Sequence, residues 1–263
     1  MKLEIIQETP KGKPKPTPLL FVHGKWHGAW CWAEYFLPYF AERGYACAAL
    51  SLRGHASSEG RERLRWTSIA EYVEDVEQAA GSLSAPPVVI GHSMGGFITQ
   101  KYLERHPETP AAVLLTSIPP SGLWPTTFLL LRRHPLVVLK VLATLSLYPT
   151  IETPALARWA LFSKDMPDEL VGTYHRQMGD ESFRTYLDEL GLNLVHPKRV
   201  RTPLLVIGAQ EDQVITPRMV QSTARAYGLQ PEIFPNIAHD VMLESGWERV
   251  AARIAAWLAE KEI

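Results

Sequence analysis

Cysteine is almost missing from this chain: Cys31 and Cys47 are the only two among 263 residues. That is too few for a disulfide framework, and both read as small buried apolar side chains. Asparagine is as scarce, at Asn193 and Asn236, while proline reaches 21. Few thermolabile amides and stiffened loops suit a heat-adapted source. No sign of charge dominates: 27 Lys and Arg against 28 Asp and Glu leave a net charge of -1. Nothing sequence-wide therefore drives the chain toward nucleic acid or anionic lipid. The densest basic stretch, Lys11, Lys13 and Lys15, reads as a solvated turn. No uninterrupted apolar run reaches the ~18 residues of a membrane span. The greasiest region, Phe128 to Tyr148, is broken by Arg132, Arg133, His134, Pro135 and Lys140. The first residues lack the apolar core of a secretory signal. The expectation is a cytoplasmic protein with no nucleic-acid partner and no stable membrane insertion.

What the chain does have is apolar content, 46%, arranged as short runs separated by amphipathic stretches. Pro18 to Val22, Ala46 to Leu50, Pro87 to Ile90, Ala111 to Leu115 and Pro203 to Ile207 are continuous apolar runs, with Glu232 to Phe234 a shorter sixth. Continuous rather than alternating runs indicate strands buried on both faces, as in a parallel sheet. Leu3 to Gln7 alternates and reads as an antiparallel edge strand. Ser68 and Glu71 form a capping box. Behind it Ile69, Val73, Val76, Ala80 and Leu83 make one apolar stripe. Trp247, Val250, Ile254, Trp257 and Leu258 repeat the pattern. Strand–helix alternation implies a doubly wound α/β sheet. Between the fourth and fifth runs the rhythm stops. Residues 123–199 carry a helical pattern rich in Leu, Trp and Tyr, too long for an unfolded loop. The expected organisation is a core of 1–122 and 200–263 with 123–199 inserted as a helical cap over the C-terminal edge of the sheet.

Residues 88–96 read Val-Val-Ile-Gly-His-Ser-Met-Gly-Gly. A buried strand runs into Gly-x-Ser-x-Gly and then into a helix, expected over Phe97 to Arg105. In that context the motif is a tight strand-to-helix turn that exposes the Ser93 hydroxyl above the sheet; Gly91 and Gly95 leave room where side chains would clash. A serine nucleophile needs a base, and the base an orienting carboxylate. Asp212 follows the Pro203 to Ile207 strand, with Glu211 as its competitor. His239 lies in the loop after the last strand, giving the chain order Ser, Asp, His. His106, His134, His175 and His196 fall at helix ends or in the insert and read as bystanders.

A tetrahedral intermediate needs preorganised N–H donors. One is the Met94 backbone, the residue after the nucleophile. The other comes from the loop His23-Gly24-Lys25-Trp26-His27-Gly28-Ala29-Trp30-Cys31-Trp32, where Gly24 permits a bend that aims the Lys25 N–H inward. His23 reads as a buried pin for that loop. This segment, with Gly-His-Ser-Met-Gly-Gly and the late Asp and His, resembles the α/β-hydrolase superfamily. It is most similar to the branch of plant methylesterases, hydroxynitrile lyases and related bacterial esterases. The resemblance covers the core, about 18–122 and 200–260, and implies a Ser93–His239–Asp212 triad with Lys25 and Met94 N–H groups as oxyanion hole. Two positions depart from it. Ser51 stands where relatives often carry an acid before the Arg-Gly-His turn. Lys25 stands where relatives often carry a small residue, and its cation either meets an anionic substrate or points to solvent.

The expected reaction is hydrolysis of a small-molecule carboxylic ester through an acyl-enzyme. No metal or organic cofactor is called for, since zinc-ligand spacing and phosphate loops are missing. Phe128, Leu129, Leu130, Val137, Val138, Leu142 and Leu145 are candidates for an acyl pocket or for the insert's own core. Trp26, His92, Leu129 and Val138 are the candidate substrate-binding side chains, His92 with packing as its alternative role. Other readings are a monoacylglycerol lipase or lysophospholipase-like enzyme, a cofactor-free lyase, or a ligand receptor on the same fold. Resemblance to hydroxynitrile lyases implies a lysine after the base histidine and a threonine in the oxyanion loop; Asp240 and Gly24 stand there instead. The oligomeric state is not legible.

Overall fold

The continuous apolar runs become the sheet. A computed structural model describes residues 1–263. Its strands are β1 (Ile5–Glu8), β2 (Leu19–Val22), β3 (Cys47–Leu50), β4 (Val88–His92), β5 (Ala112–Leu115), β6 (Leu204–Ala209) and β7 (Glu232–Phe234). They lie in the order β1-β3-β2-β4-β5-β6-β7. Only β1 is antiparallel, paired with β3 at the edge, as its alternation predicts; the other pairs are parallel. Every residue of β2 through β6 is buried. Alternate residues feed the two faces: Leu19 and Phe21 join one core, Leu20 and Val22 the other.

Helices cover both faces. On the first lie α1 (Trp30–Ala33) and α2 (Phe36–Ala41), with α11 (Trp247–Glu260). On the second lie α3 (Ile69–Gly81), α4 (Met94–Leu103) and α10 (Pro217–Ala226). The Ser68–Glu71 capping box is present at the start of α3. Helix α4 begins at Met94, three residues ahead of the sequence expectation, because the glycine pair that looks like a helix breaker is absorbed into its first turn. Lys15 also departs from the expected solvated turn: its Nζ donates to the Tyr45 hydroxyl and the Ile263 carbonyl, both at 2.9 Å. No helix is long and apolar enough to cross a membrane.

Between β5 and β6 the chain forms α5 (Trp124–Arg133), α6 (Pro135–Thr144), α7 (Pro154–Leu161), α8 (Asp168–His175) and α9 (Phe183–Leu187), with no strand. Three buried acids join the end of this insert to the core. Glu181 accepts from His55 Nε2 at 3.1 Å and from the Tyr72 hydroxyl at 2.9 Å. Asp188 accepts from the Ile69 N–H at 3.0 Å, at the amino end of α3, where a carboxylate also meets the helix dipole. Glu189 meets Lys25.

Burial opposes both charges of the His55–Glu181 pair, but each charge stabilises the other. The Glu181 pKa is lowered from 4.5 and the His55 pKa raised from 6.5. A depressed acid contributes above its unfolded pKa and a raised base contributes below its own. The pair therefore stabilises fully between pH 4.5 and 6.5, losing Glu181 as pH falls further and His55 as pH rises. Glu181→Ala leaves the buried His55 ring and Tyr72 hydroxyl unpaired and is expected to cost about 3–5 kcal/mol, measured by urea unfolding. A loss below about 1 kcal/mol would show that water replaces the carboxylate at little cost.

Candidate active site

At the β4–α4 junction the backbone turns so sharply that Ser93 takes φ 53° and ψ -116°. A non-glycine residue with positive φ stores strain of about 1–3 kcal/mol. Packing around the turn holds it there. A Cβ on Gly91 would lie 2.4 Å from the Gly95 carbonyl oxygen, and one on Gly95 only 2.3 Å from the Val22 oxygen. Gly24 is needed for the same reason: a Cβ there would sit 2.7 Å from His92 Nδ1 and 3.0 Å from Ser93 Cβ. Glycine at these positions lets the loop after β2 ride directly against the serine turn.

The structure brings the three expected side chains together. His239 Nε2 lies 2.9 Å from Ser93 Oγ, and His239 Nδ1 lies 2.7 Å from Asp212 Oδ2. The other carboxylate oxygen, Asp212 Oδ1, accepts the Val214 and Ile215 N–H groups at 2.8 and 2.7 Å. Asp212 can therefore only accept, so Nδ1 of His239 carries the proton and Nε2 is left to receive the serine hydroxyl. Glu211, half-buried, makes no contact with the ring. Burial disfavours the His239 imidazolium, but the charge and hydrogen bond of Asp212, aided by Asp240, outweigh it and raise the pKa above 6.5.

The Lys25 and Met94 N–H groups are left without a protein acceptor. Met94 is the first residue of α4, whose leading N–H groups have no partner within the helix. His23 pins the oxyanion loop as expected, its Nε2 accepting the Leu52 N–H at 3.0 Å. Ser51 is structural: its hydroxyl accepts from Ala29 N at 2.8 Å and donates to Glu4 at 2.5 Å.

Several expectations are corrected. The Lys25 ammonium neither reaches solvent nor stands free for an anion: it is buried and gripped by both carboxylate oxygens of Glu189, one at 2.6 Å. Desolvation pushes the Glu189 carboxyl above its usual value, with the lysine charge opposing. His92 does not line the substrate space. Its Nε2 donates to the His239 carbonyl at 3.0 Å, and Thr116 Oγ1 donates to the same oxygen at 3.1 Å. Burial and the neighbouring His239 drive the His92 pKa down to about 3, so it serves as a neutral donor behind the base.

Ser93 opens into a pocket lined by 18 residues, 13 of them apolar. Trp26, Leu130, Val138 and Leu142 line it as expected; Leu129, Phe128, Val137 and Leu145 do not. Leu129 sits next to the lining Leu130 but turns away, because adjacent residues on a helix point about 100° apart. Sequence reasoning missed Tyr186, Trp159 and Ile118 in the lining. It also missed the Asp240–His27 pair at 3.1 Å. Adjacency of Asp240 to His239 was the available signal there; no local pattern points to Glu189, 164 residues from Lys25.

The chain is similar to several known proteins. A monoacylglycerol lipase of Mycolicibacterium smegmatis is 27% identical over 240 residues, 83% of this chain and 80% of its own. Methyl jasmonate esterase 1 of Vitis vinifera is 30% identical over 100 residues, 37% of this chain and 38% of its own. The chain thus spans less than half of that relative. Among solved structures, a monoacylglycerol lipase of Paleococcus ferrophilus superposes with TM-score 0.73 at 19% identity, over 99% of this chain and 100% of its own. The alpha/beta hydrolase family pattern runs through residues 19–253, the stretch that holds the parallel sheet, the serine turn and the late histidine, and by that match the chain belongs to the alpha/beta hydrolase family.

Proposed function

We propose that the protein is a serine hydrolase of small carboxylic esters, with 123–199 as a cap over a catalytic core of 1–122 and 200–263. The observation that carries this reading is the unbroken relay from Ser93 Oγ through His239 to Asp212, at 2.9 and 2.7 Å. His239 takes the serine proton as Ser93 attacks the acyl carbon. The oxyanion sits against the Lys25 and Met94 N–H groups. The protonated histidine then gives its proton to the leaving alcohol, and an acyl-serine remains. Water, deprotonated by the same ring, releases the acid. The apolar cavity fits an acyl or aryl group of modest size. The lyase alternative lacks support, since Asp240, facing His27 at 3.1 Å, stands where a lysine would be needed. Assaying p-nitrophenyl esters separates enzyme from silent receptor. Turnover is expected to fall at least about ten-thousand-fold in Ser93→Ala, and a fluorophosphonate label to land on Ser93. A label on another residue, or activity surviving the substitution, overturns the assignment.

The pH profile tests the electrostatics. With its pKa above 6.5, His239 becomes protonated, and useless as a base, already on mild acidification. The acid limb of kcat/KM is therefore expected above pH 6.5. Asp240 is one of the charges raising that pKa, so Asp240→Asn is expected to move the limb to lower pH. A limb that stays or rises would show that Asp240 does not act on the base.

A second reading, a lipid ester such as a monoacylglycerol, is favoured by the insert's outer face. Phe128, Leu136 and Leu139 are 63, 79 and 63% exposed, on the helices whose inner residues line the cavity. On this reading activity rises as a long-chain ester passes its solubility limit and forms an interface. A rate that merely saturates there favours the soluble-ester reading alone.

A further inference from the structure

Lys25 is the one charged side chain among the residues lining the cavity, which otherwise offers Ser93, three threonines and apolar groups. An ammonium in such a place is costly unless paired. Glu189 supplies the pair and is completely buried, taking two of the three N–H donors of Nζ. Its position is built in. Leu123 N donates to the Glu189 carbonyl at 3.1 Å. A Cβ on Gly122 would lie 2.0 Å from that same oxygen, so Gly122, at φ 90°, is what lets Glu189 come so close. Its backbone is thereby fixed against the turn at Gly122.

We propose that Glu189 sets the charge preference of the acyl cavity: by occupying the Lys25 ammonium it makes the wall beside Ser93 neutral, and the site selects esters that carry no carboxylate on the acyl chain. Remove that carboxylate and the same cavity acquires a positive wall at the depth of the reacting serine. The inference rests on the ester-hydrolase reading and adds to it the residue that decides between two substrate classes.

The test compares p-nitrophenyl hexanoate with mono-p-nitrophenyl adipate, which have the same chain length and differ by a terminal carboxylate. It is run at about pH 8, where carboxylates are ionised. Wild type is expected to favour the neutral ester. In Glu189→Gln, close in size but uncharged, the adipate-to-hexanoate ratio of kcat/KM is expected to rise at least about tenfold, the worth of a hydrogen bond to a charged group. A purely structural role for Glu189 would lower both rates and leave the ratio alone. A folded Glu189→Gln protein with an unchanged ratio overturns the proposal, as does a wild type that takes both esters equally.

Should the lone substitution prevent folding, Lys25→Met with Glu189→Met removes both charges together, a change buried pairs tolerate. With no net charge lost, the ratio is expected to stay within about threefold of wild type, under the tenfold of one charged hydrogen bond. A fall of about tenfold or more would mean that the substrate already feels the lysine in wild type, against the proposal. A wild type inert toward every ester instead ends the hydrolase reading and is told apart by that result.

Discussion

The close approach of two backbones beside Ser93 is the constraint on which the rest depends. Val22 and Gly91 are register partners in adjacent parallel strands, so the loops after β2 and β4 leave the sheet side by side. One supplies the Lys25 N–H and the other Ser93. They can meet only because Gly24, Gly91 and Gly95 have no Cβ, the missing atoms falling 2.7 Å or less from a neighbouring atom. The strain at Ser93 is one half of a device whose other half is Gly24, sixty-nine positions earlier in the chain.

Electrostatics follow from that geometry. The ring of His239 sits between opposing influences. Burial and the Lys25 charge resist protonation; Asp212 and Asp240 invite it. Asp240 has a second task. It faces His27 Nε2 at 3.1 Å, and His27 Nδ1 lies 2.7 Å from the Lys25 carbonyl. One carboxylate therefore connects the loop of the base to the loop of the oxyanion hole, and the two halves of the site share a buried charge.

The fold was readable because burial on both faces forces continuous apolar runs, and six of them became strands within two residues of the expected ends. The positions of Ser93, Asp212 and His239 were readable because each sits at a strand end, where topology leaves little freedom. Illegible were interactions whose partners share no local pattern. Lys25 in isolation suggests solvent or an anion, and nothing near it in sequence says that Glu189 fills the role. His92 adjoins Ser93 but points behind His239, since successive residues around a strand end face opposite sides. In the insert, composition named greasy residues without saying which helix face meets the cavity: Leu130 lines it and Leu129 does not.

That insert is physically two unlike halves. Its later half carries Glu181, Asp188 and Glu189, each buried against a core partner. In addition the Gly179 N–H donates to the Trp26 carbonyl at 2.9 Å, on the oxyanion loop itself. Its earlier half has no acid at all from Thr109 to Ile151. Helix α5 buries no residue and α6 only Val141. Elements with few buried contacts open at the lowest free energy, and of the insert's helices α5 and α6 have the fewest buried residues. The later half cannot move without separating buried charges and dragging the oxyanion loop with it. The earlier part thus rests lightly on the core, while the later part is tied to it by buried carboxylates.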